Sequence, residues 1–205
     1  MKALNLVIIC SLFVAKAFSQ CADSTKIYTF TFEGKKYEVV QELKKWDAAA
    51  ACAVERGGYL VEINNAAEQK AVFNAIMNGA KVSPSYVSVS TGGDIAYVWT
   101  GASDKKTEGT WLWDGNKDGR GIFFWSGQGA KGSKNGKAIM NAYYNWGGSS
   151  KGTPNVPDNY GTVENSGALA LSGWPSKTTN IGIAGEWNDL MGSTLLYYVI
   201  EYDKK

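Results

Sequence analysis

The stretch from Val98 to Gly115, VWTGASDKKTEGTWLWDG, places two short runs of β-branched and aromatic residues on either side of a charged turn closed by glycine. Runs of this kind, bounded by Asp, Lys and Gly, read as strand, turn and strand. Trp99, Trp111 and Trp113 are large and apolar, so they read as core beneath the loops rather than as ligand contacts. Gly101 and Gly115 read as turns or points of close packing.

Upstream, residues 27–32 alternate apolar and polar side chains, Glu33 to Lys36 turn the chain, and Tyr37 to Val40 return it, which predicts a β-hairpin. The alanine-rich segment from Trp46 to Glu55 predicts a helix stopped by Gly57 and Gly58. A second helix is predicted from Ala66 to Gly79, where Val72, Phe73, Ile76 and Met77 recur at helical spacing. Short strands are expected at 86–89 and 96–99. Downstream, residues 114–185 are rich in Gly, Asn, Ser and Lys without sustained periodicity and are expected to be long structured loops. Residues 194–202 are strongly β-forming and predict a central strand. The fold class expected from this order is α+β.

The first 19 residues carry Lys2, an apolar run from Leu4 to Val14 and a small-residue stretch before Gln20, the pattern of a secretory signal peptide. No later stretch is apolar for long enough to be a membrane helix, so residues 20–205 are expected to form a single exported domain without membrane insertion. The formal charge of +2 disappears once Lys2 and Lys16 leave with the leader, and such a balance gives no indication of a nucleic-acid partner. There is no histidine, which removes imidazole bases, histidine triads and histidine-ligated zinc. No catalytic residue is assigned, and the protein is not expected to be an enzyme.

Several spaced motifs together resemble the C-type lectin domain family over essentially the whole chain after the leader. Trp46, Cys52, Gly57, Gly58, Leu60, Ile63 and Glu68 look like the family's first-helix signature and the turn after it. Residues 98–104 look like its Trp-Ile-Gly-Leu core motif, and 108–115 like the segment that follows. Asn145-Trp146, Val156-Pro157-Asp158-Asn159, Glu164-Asn165 and Glu186-Trp187-Asn188-Asp189 come next, in the family's order. The resemblance implies a secreted, extracellular, calcium-dependent lectin used in recognition or adhesion, whose partner is carbohydrate on cell surfaces or extracellular polymers.

It also implies a site. Asp158, Glu164, Asn188 and Asp189 match ligands of the family's principal calcium site, the Asp189 carbonyl adding an oxygen, and the same side chains hydrogen-bond two adjacent sugar hydroxyls. Calcium takes roughly six to eight oxygens, and carboxylates and amides on freely turning loops supply them. The chain departs from the pattern at Val156, where sugar-binding members carry Glu or Gln. One oxygen is lost there, Asn155 is the neighbour that could turn in, and the expected consequence is weaker calcium binding. Trp174 is the aromatic assigned to ligand contact, while Phe123, Phe124, Trp125, Tyr143 and Tyr144 are expected to pin the long loop to the domain, the alternative being an aromatic surface that stacks on the apolar face of a sugar ring. Asn155, Asn159 and Asn180 read as turn residues that satisfy loop backbone.

Other functions compete with the lectin. A non-sugar module recognising protein, mineral or ice is favoured by Val156, since fold does not fix function. A glycoside hydrolase built on Asp158 and Glu164 is disfavoured, because those carboxylates have a better use as metal ligands. An oligomer would strengthen a weak site by multivalency, although no coiled-coil segment imposes one. Most cysteines implied by the resemblance are missing: Cys52 matches the helix cysteine, but Ile200 stands where its partner in the final strand would be, and Ser166 and Gly192 hold the positions of the loop pair. In that fold the first and last strands are neighbours, which brings Cys21 towards Cys52. A Cys21–Cys52 bridge and a buried free Cys52 are the two alternatives.

Overall fold

The computed structural model describes residues 21–204; the leader expected at 1–19 lies outside them. The hairpin is formed by β1 (Ile27–Phe32) and β2 (Lys35–Lys44), paired antiparallel from Ile27↔Val40 to Phe32↔Lys35. β2 delivers the chain to α1 (Trp46–Glu55), whose Ala49, Ala50 and Ala53 are wholly buried. Side chains this small let the helix lie close on its support. α1 stops in a Schellman motif: the Gly58 N–H donates to Ala53 O, the Gly57 N–H to Val54 O, and Gly57 takes φ +84°. α2 (Ala66–Asn74) opens on a reciprocal cap, in which Asn65 Oδ1 accepts from the Glu68 N–H (2.9 Å) and Glu68 Oε2 accepts from the Asn64 N–H (2.8 Å). A π-helical turn, Ala75–Gly79, completes the second predicted helix.

The remaining strands are β3 (Tyr59–Leu60), β4 (Tyr97–Ser103), β5 (Thr110–Trp113), β6 (Ile122–Ser126), β7 (Lys137–Ala138), β8 (Glu164–Ala170), β9 (Trp187–Met191) and β10 (Leu196–Glu201). Their order is β1-β2-β10-β4-β5-β6-β7, with β3 on β10 and the β8–β9 pair carried on β4. β10 is central, as its composition predicts, running antiparallel to β2 and parallel to β4 through Tyr197↔Val98 and Tyr198↔Trp99. The two helices and a mostly antiparallel sheet give the expected α+β class. A Cβ on Gly101 would stand 2.5 Å from Leu60 O, and one on Gly115 2.2 Å from it, so both glycines exist to admit β3 at close range.

Two expectations are corrected. Tyr86 to Val89 is not a strand; only Val89 pairs, with Ile95. Tyr86 instead stacks on Tyr197 with ring centroids 4.0 Å apart. Its hydroxyl donates to Tyr97 O and accepts the Tyr197 N–H (3.0 Å), standing in for a rung between β4 and β10. Residues 114–185 are not loop throughout, since they contain β6, β7 and β8.

The indoles fill the core. Trp99, Trp111, Trp113 and Trp146 are buried. Trp111 meets Trp146 at 4.8 Å, and Trp113 and Trp146 both abut Trp187, at 5.4 and 5.7 Å. Trp125 against Tyr144 (4.8 Å) and Tyr143 against Trp187 (5.8 Å) form the seam that pins the long loop, while Phe123 stays 38% exposed. Cys21 and Cys52 are disulfide-bonded, with Cα atoms 5.4 Å apart. A Cβ on Gly192 would lie 3.9 Å from that of Ser166, inside the spacing of about 3.5–4.5 Å that a disulfide needs, so the two positions are neighbours although neither is cysteine.

Candidate metal and ligand site

The β8–β9 pair builds the site. Glu164 opens β8, and Asn188 and Asp189 follow the buried Trp187 in β9, paired through Ala168↔Asn188 and Gly167↔Asp189. The Trp187 Nε1–H donates to Gln69 Oε1 (2.7 Å), which fixes β9 just ahead of its two polar residues. The loop preceding β8 brings in Asp158. One carboxylate oxygen from each of Asp158, Glu164 and Asp189 lies within 4.8 Å of the others. Asp189, Glu164 and Asn188 are buried, and Asp158 is half-buried.

Protein hydrogen bonds use only part of this oxygen set. Asp189 Oδ2 accepts the backbone N–H groups of Asp158 (2.9 Å) and Asn159 (2.7 Å), and Glu164 Oε2 accepts that of Tyr160 (3.2 Å). Glu164 Oε1, Asn188 Oδ1 and Asp189 Oδ1 are buried without a partner. Each such atom costs roughly 1–3 kcal/mol, and more when it carries charge. Among the described residues no ion pair involves Asp158, Glu164 or Asp189. Burial, reinforced by Asp189 and Asp158, therefore pushes the Glu164 carboxyl up to about 9. Burial and the charge of Asp158 push Asp189 up to about 8, and burial raises Asp158 itself. The donors are all oxygen and mostly anionic, a set that suits a hard divalent cation such as calcium.

The cluster borders a cavity of about 230 Å³, lined by Asp158, Glu164 and Asn188 together with Ser90, Thr91 and Tyr160. Val156 also faces it and is buried, so no side-chain oxygen enters from that position. Trp174 lines the cavity but is only 2% exposed. It meets Tyr97 edge-on at 5.8 Å, and the backbone of Gly182 and Gly147 covers its ring so closely that a Cβ there would come within 2.1 and 2.4 Å. It is a packed wall rather than a free stacking face. The exposed aromatic is Tyr160, at 66%, which the sequence reading missed. Its signal was an aromatic set between the turn formers Asn159 and Gly161. Asn155 is held away by its own bond, Nδ2 donating to Ile181 O (2.7 Å), and Asn180 Oδ1 accepts the Thr178 hydroxyl (2.9 Å).

Two helices with a mostly antiparallel sheet are the fold of C-type-lectin-like domains. The chain matches the family model described as the lectin C-type domain over residues 41–155, more than half its length, and it belongs to that family. The matched span ends just before the carboxylate cluster. In fold it is similar to the mouse scavenger receptor C-type lectin carbohydrate-recognition domain, with TM-score 0.53 and 20% identity over 87% of this chain and 95% of that one. It is similar to the C-type lectin CEL-I of Cucumaria echinata, with TM-score 0.54 and 22% identity over 86% and 96%. Herring type II antifreeze protein gives TM-score 0.53 and 16% identity over 89% and 100%. Among curated proteins, halomucin of Haloquadratum walsbyi is 23% identical over 173 residues, 82% of this chain, and this chain spans 2% of halomucin's length.

Proposed function

We propose that this chain is a secreted, calcium-dependent carbohydrate-binding protein of extracellular recognition or adhesion, with Asp158, Glu164, Asn188 and Asp189 holding the ion and touching the sugar. The observation that carries the reading is the trio of partnerless buried oxygens, Glu164 Oε1, Asn188 Oδ1 and Asp189 Oδ1, in a carboxylate cluster that makes no ion pair among the described residues. A divalent cation would satisfy those atoms and neutralise the cluster together. Four side chains fall short of the roughly six to eight oxygens calcium takes, so part of its shell is left for ligand hydroxyls. Bound calcium would supply an attachment point for two adjacent hydroxyls at the cavity. Tyr160 offers an exposed ring beside it for the apolar face of a sugar, with Trp174 packing the wall behind. Export is supported by the leader pattern at 1–19 and by the Cys21–Cys52 bridge, because disulfides persist in oxidising compartments.

The test is thermal melting in calcium and in chelator, followed by glycan-array binding in both. A ligand that binds only the folded state at 100 times its Kd stabilises by about 2.7 kcal/mol, an increase of several degrees. Glu164→Gln should abolish the increase. Unchanged melting in millimolar calcium overturns the metal reading. A second reading, a non-sugar binding module, is favoured by the apolar Val156 at the cavity; a calcium-raised melting temperature without capture of any glycan would select it.

A further inference from the structure

Asn159 commits every polar group it has, each to a different part of the site. Its N–H donates to Asp189 Oδ2 (2.7 Å), and its carbonyl accepts the Thr162 N–H (2.8 Å). Its Oδ1 accepts the Glu164 N–H (3.1 Å), and its Nδ2 donates to Glu108 Oε2 (2.6 Å). The residue sits at φ 48°, ψ 48°, a left-handed conformation that asparagine tolerates better than most residues. Glu108 lies in the turn between β4 and β5, and its Oε1 accepts Gln128 Nε2–H (3.1 Å). The loop that carries Gln128 is laid against the ion loop by backbone bonds, from the Gly129 N–H to Pro157 O (2.7 Å) and from the Lys131 N–H to Asn155 O (2.8 Å).

We propose that Glu108 is a positioning residue for the candidate calcium site: through the Asn159 amide it determines which oxygens of Glu164 and Asp189 are left free for the ion. A side-chain amide can present either its oxygen or its NH₂ to a neighbour, whereas an ionised carboxylate only accepts. Glu108 therefore selects Nδ2 and leaves Oδ1 to take the Glu164 N–H. With the amide locked, the Asn159 N–H stays on Asp189 Oδ2, so Asp189 Oδ1 is the oxygen without a protein partner. The same lock fixes the backbone from which Glu164 projects its free Oε1. Glu108 is exposed and outside the ligand set, so its influence runs through Asn159.

The inference rests on the calcium reading above, and its test separates the two. In calcium-free protein, Glu108→Ala should speed hydrogen exchange at the Asn159 and Glu164 amides about tenfold, leaving β4 and β10 unchanged. Glu108→Gln removes the acceptor-only character, since its NH₂ can face the Asn159 amide as readily as its oxygen, and should exchange between the parent and Ala. In calorimetric calcium titrations, Glu108→Ala should weaken Kd about tenfold, the low end for residues that orient metal ligands, and Glu108→Gln should fall between the parent and Ala. Equal weakening by Gln and Ala with unchanged exchange would mean that Glu108 acts only as a distant charge, and overturns the proposal. An Ala variant that matches the parent in both measurements overturns it as well. If the parent binds no calcium, the calcium reading fails, and exchange alone decides whether Glu108 holds this loop.

Discussion

Two groups of buried carboxylates in this molecule have opposite fates. Glu38 is 3% exposed, and burial alone would raise its pKa. It accepts hydrogen bonds from Arg56 Nε (2.8 Å), Lys36 Nζ (2.7 Å) and the Tyr202 hydroxyl (2.8 Å), which bring it down to about 2. Glu164 and Asp189 are as deeply buried but accept only from backbone N–H groups, and they stand at about 9 and about 8. Burial does not distinguish Glu38 from Glu164 and Asp189; three side-chain donors, two of them cationic, do. The chain completes the first network with its own residues and leaves the second to be completed from outside.

The largest expected effect comes from breaking the completed side. Arg56→Met should cost about 2–3 kcal/mol, below the usual loss for a split buried pair because two donors to Glu38 remain, and should lower melting by about 5–10 °C. The loss should be the same in calcium and in chelator. Asp189→Asn should do the reverse, leaving calcium-free melting unchanged or higher because repulsion in the cluster is relieved. A calcium-free Asp189→Asn protein that melts well below the parent would erase the distinction.

Titration separates the groups next. Glu38 has a folded pKa below the ordinary value of 4.5, so the unfolded chain binds its proton more readily. Its contribution is present above pH 4.5 and is lost as pH falls towards about 2. Glu164 and Asp189 have folded pKa values above their ordinary values of 4.5 and 3.8, so their contribution is present in acid and is lost as pH rises towards about 9 and about 8. Calcium-free stability should accordingly climb as pH rises from about 2 towards 4.5 and decline from there through neutrality to about 9, and saturating calcium should flatten the decline. Level melting in chelator across that upper range would remove the contrast. The smallest effect is expected from Val156→Glu, which adds an oxygen at the cavity: calcium should bind about tenfold tighter, ~1.4 kcal/mol, while calcium-free melting falls because a further carboxylate joins the cluster.

The hairpin, both helices and β10 were legible because their periodicity and composition point the same way. β8 was not, since ENSGALA carries no β-branched or aromatic residue. At Gly167 a larger residue would not fit: a Cβ there would lie 2.6 Å from that of Ala102. Tyr86 to Val89 misled in the other direction, having strand composition while the Tyr86 side chain was committed elsewhere. At the site, Asp158, Glu164, Asn188 and Asp189 could be picked out by resemblance, and the structure gathers them at one cavity and cluster. Tyr160 needed knowledge of exposure, and Trp174 of burial, which composition does not carry. Glu108 lies 51 residues from Asn159, and no local pattern links them.

The bridge between Cys21 and Cys52 also governs how the molecule bears tension. A pull applied ahead of Cys21 passes through the sulfurs directly into α1, so residues 22–51, including all of β1 and β2, are not in series with the load. The other end of the chain leaves from β10, clamped between β2 and β4. Over a sequence separation of 31, at roughly 3.3–3.6 Å per residue, the covalent shortcut hides about 100 Å of extensible chain. That slack is surrendered only when the sulfurs are reduced, so in an oxidising medium a tether running through this protein is short and stiff at its amino-terminal end.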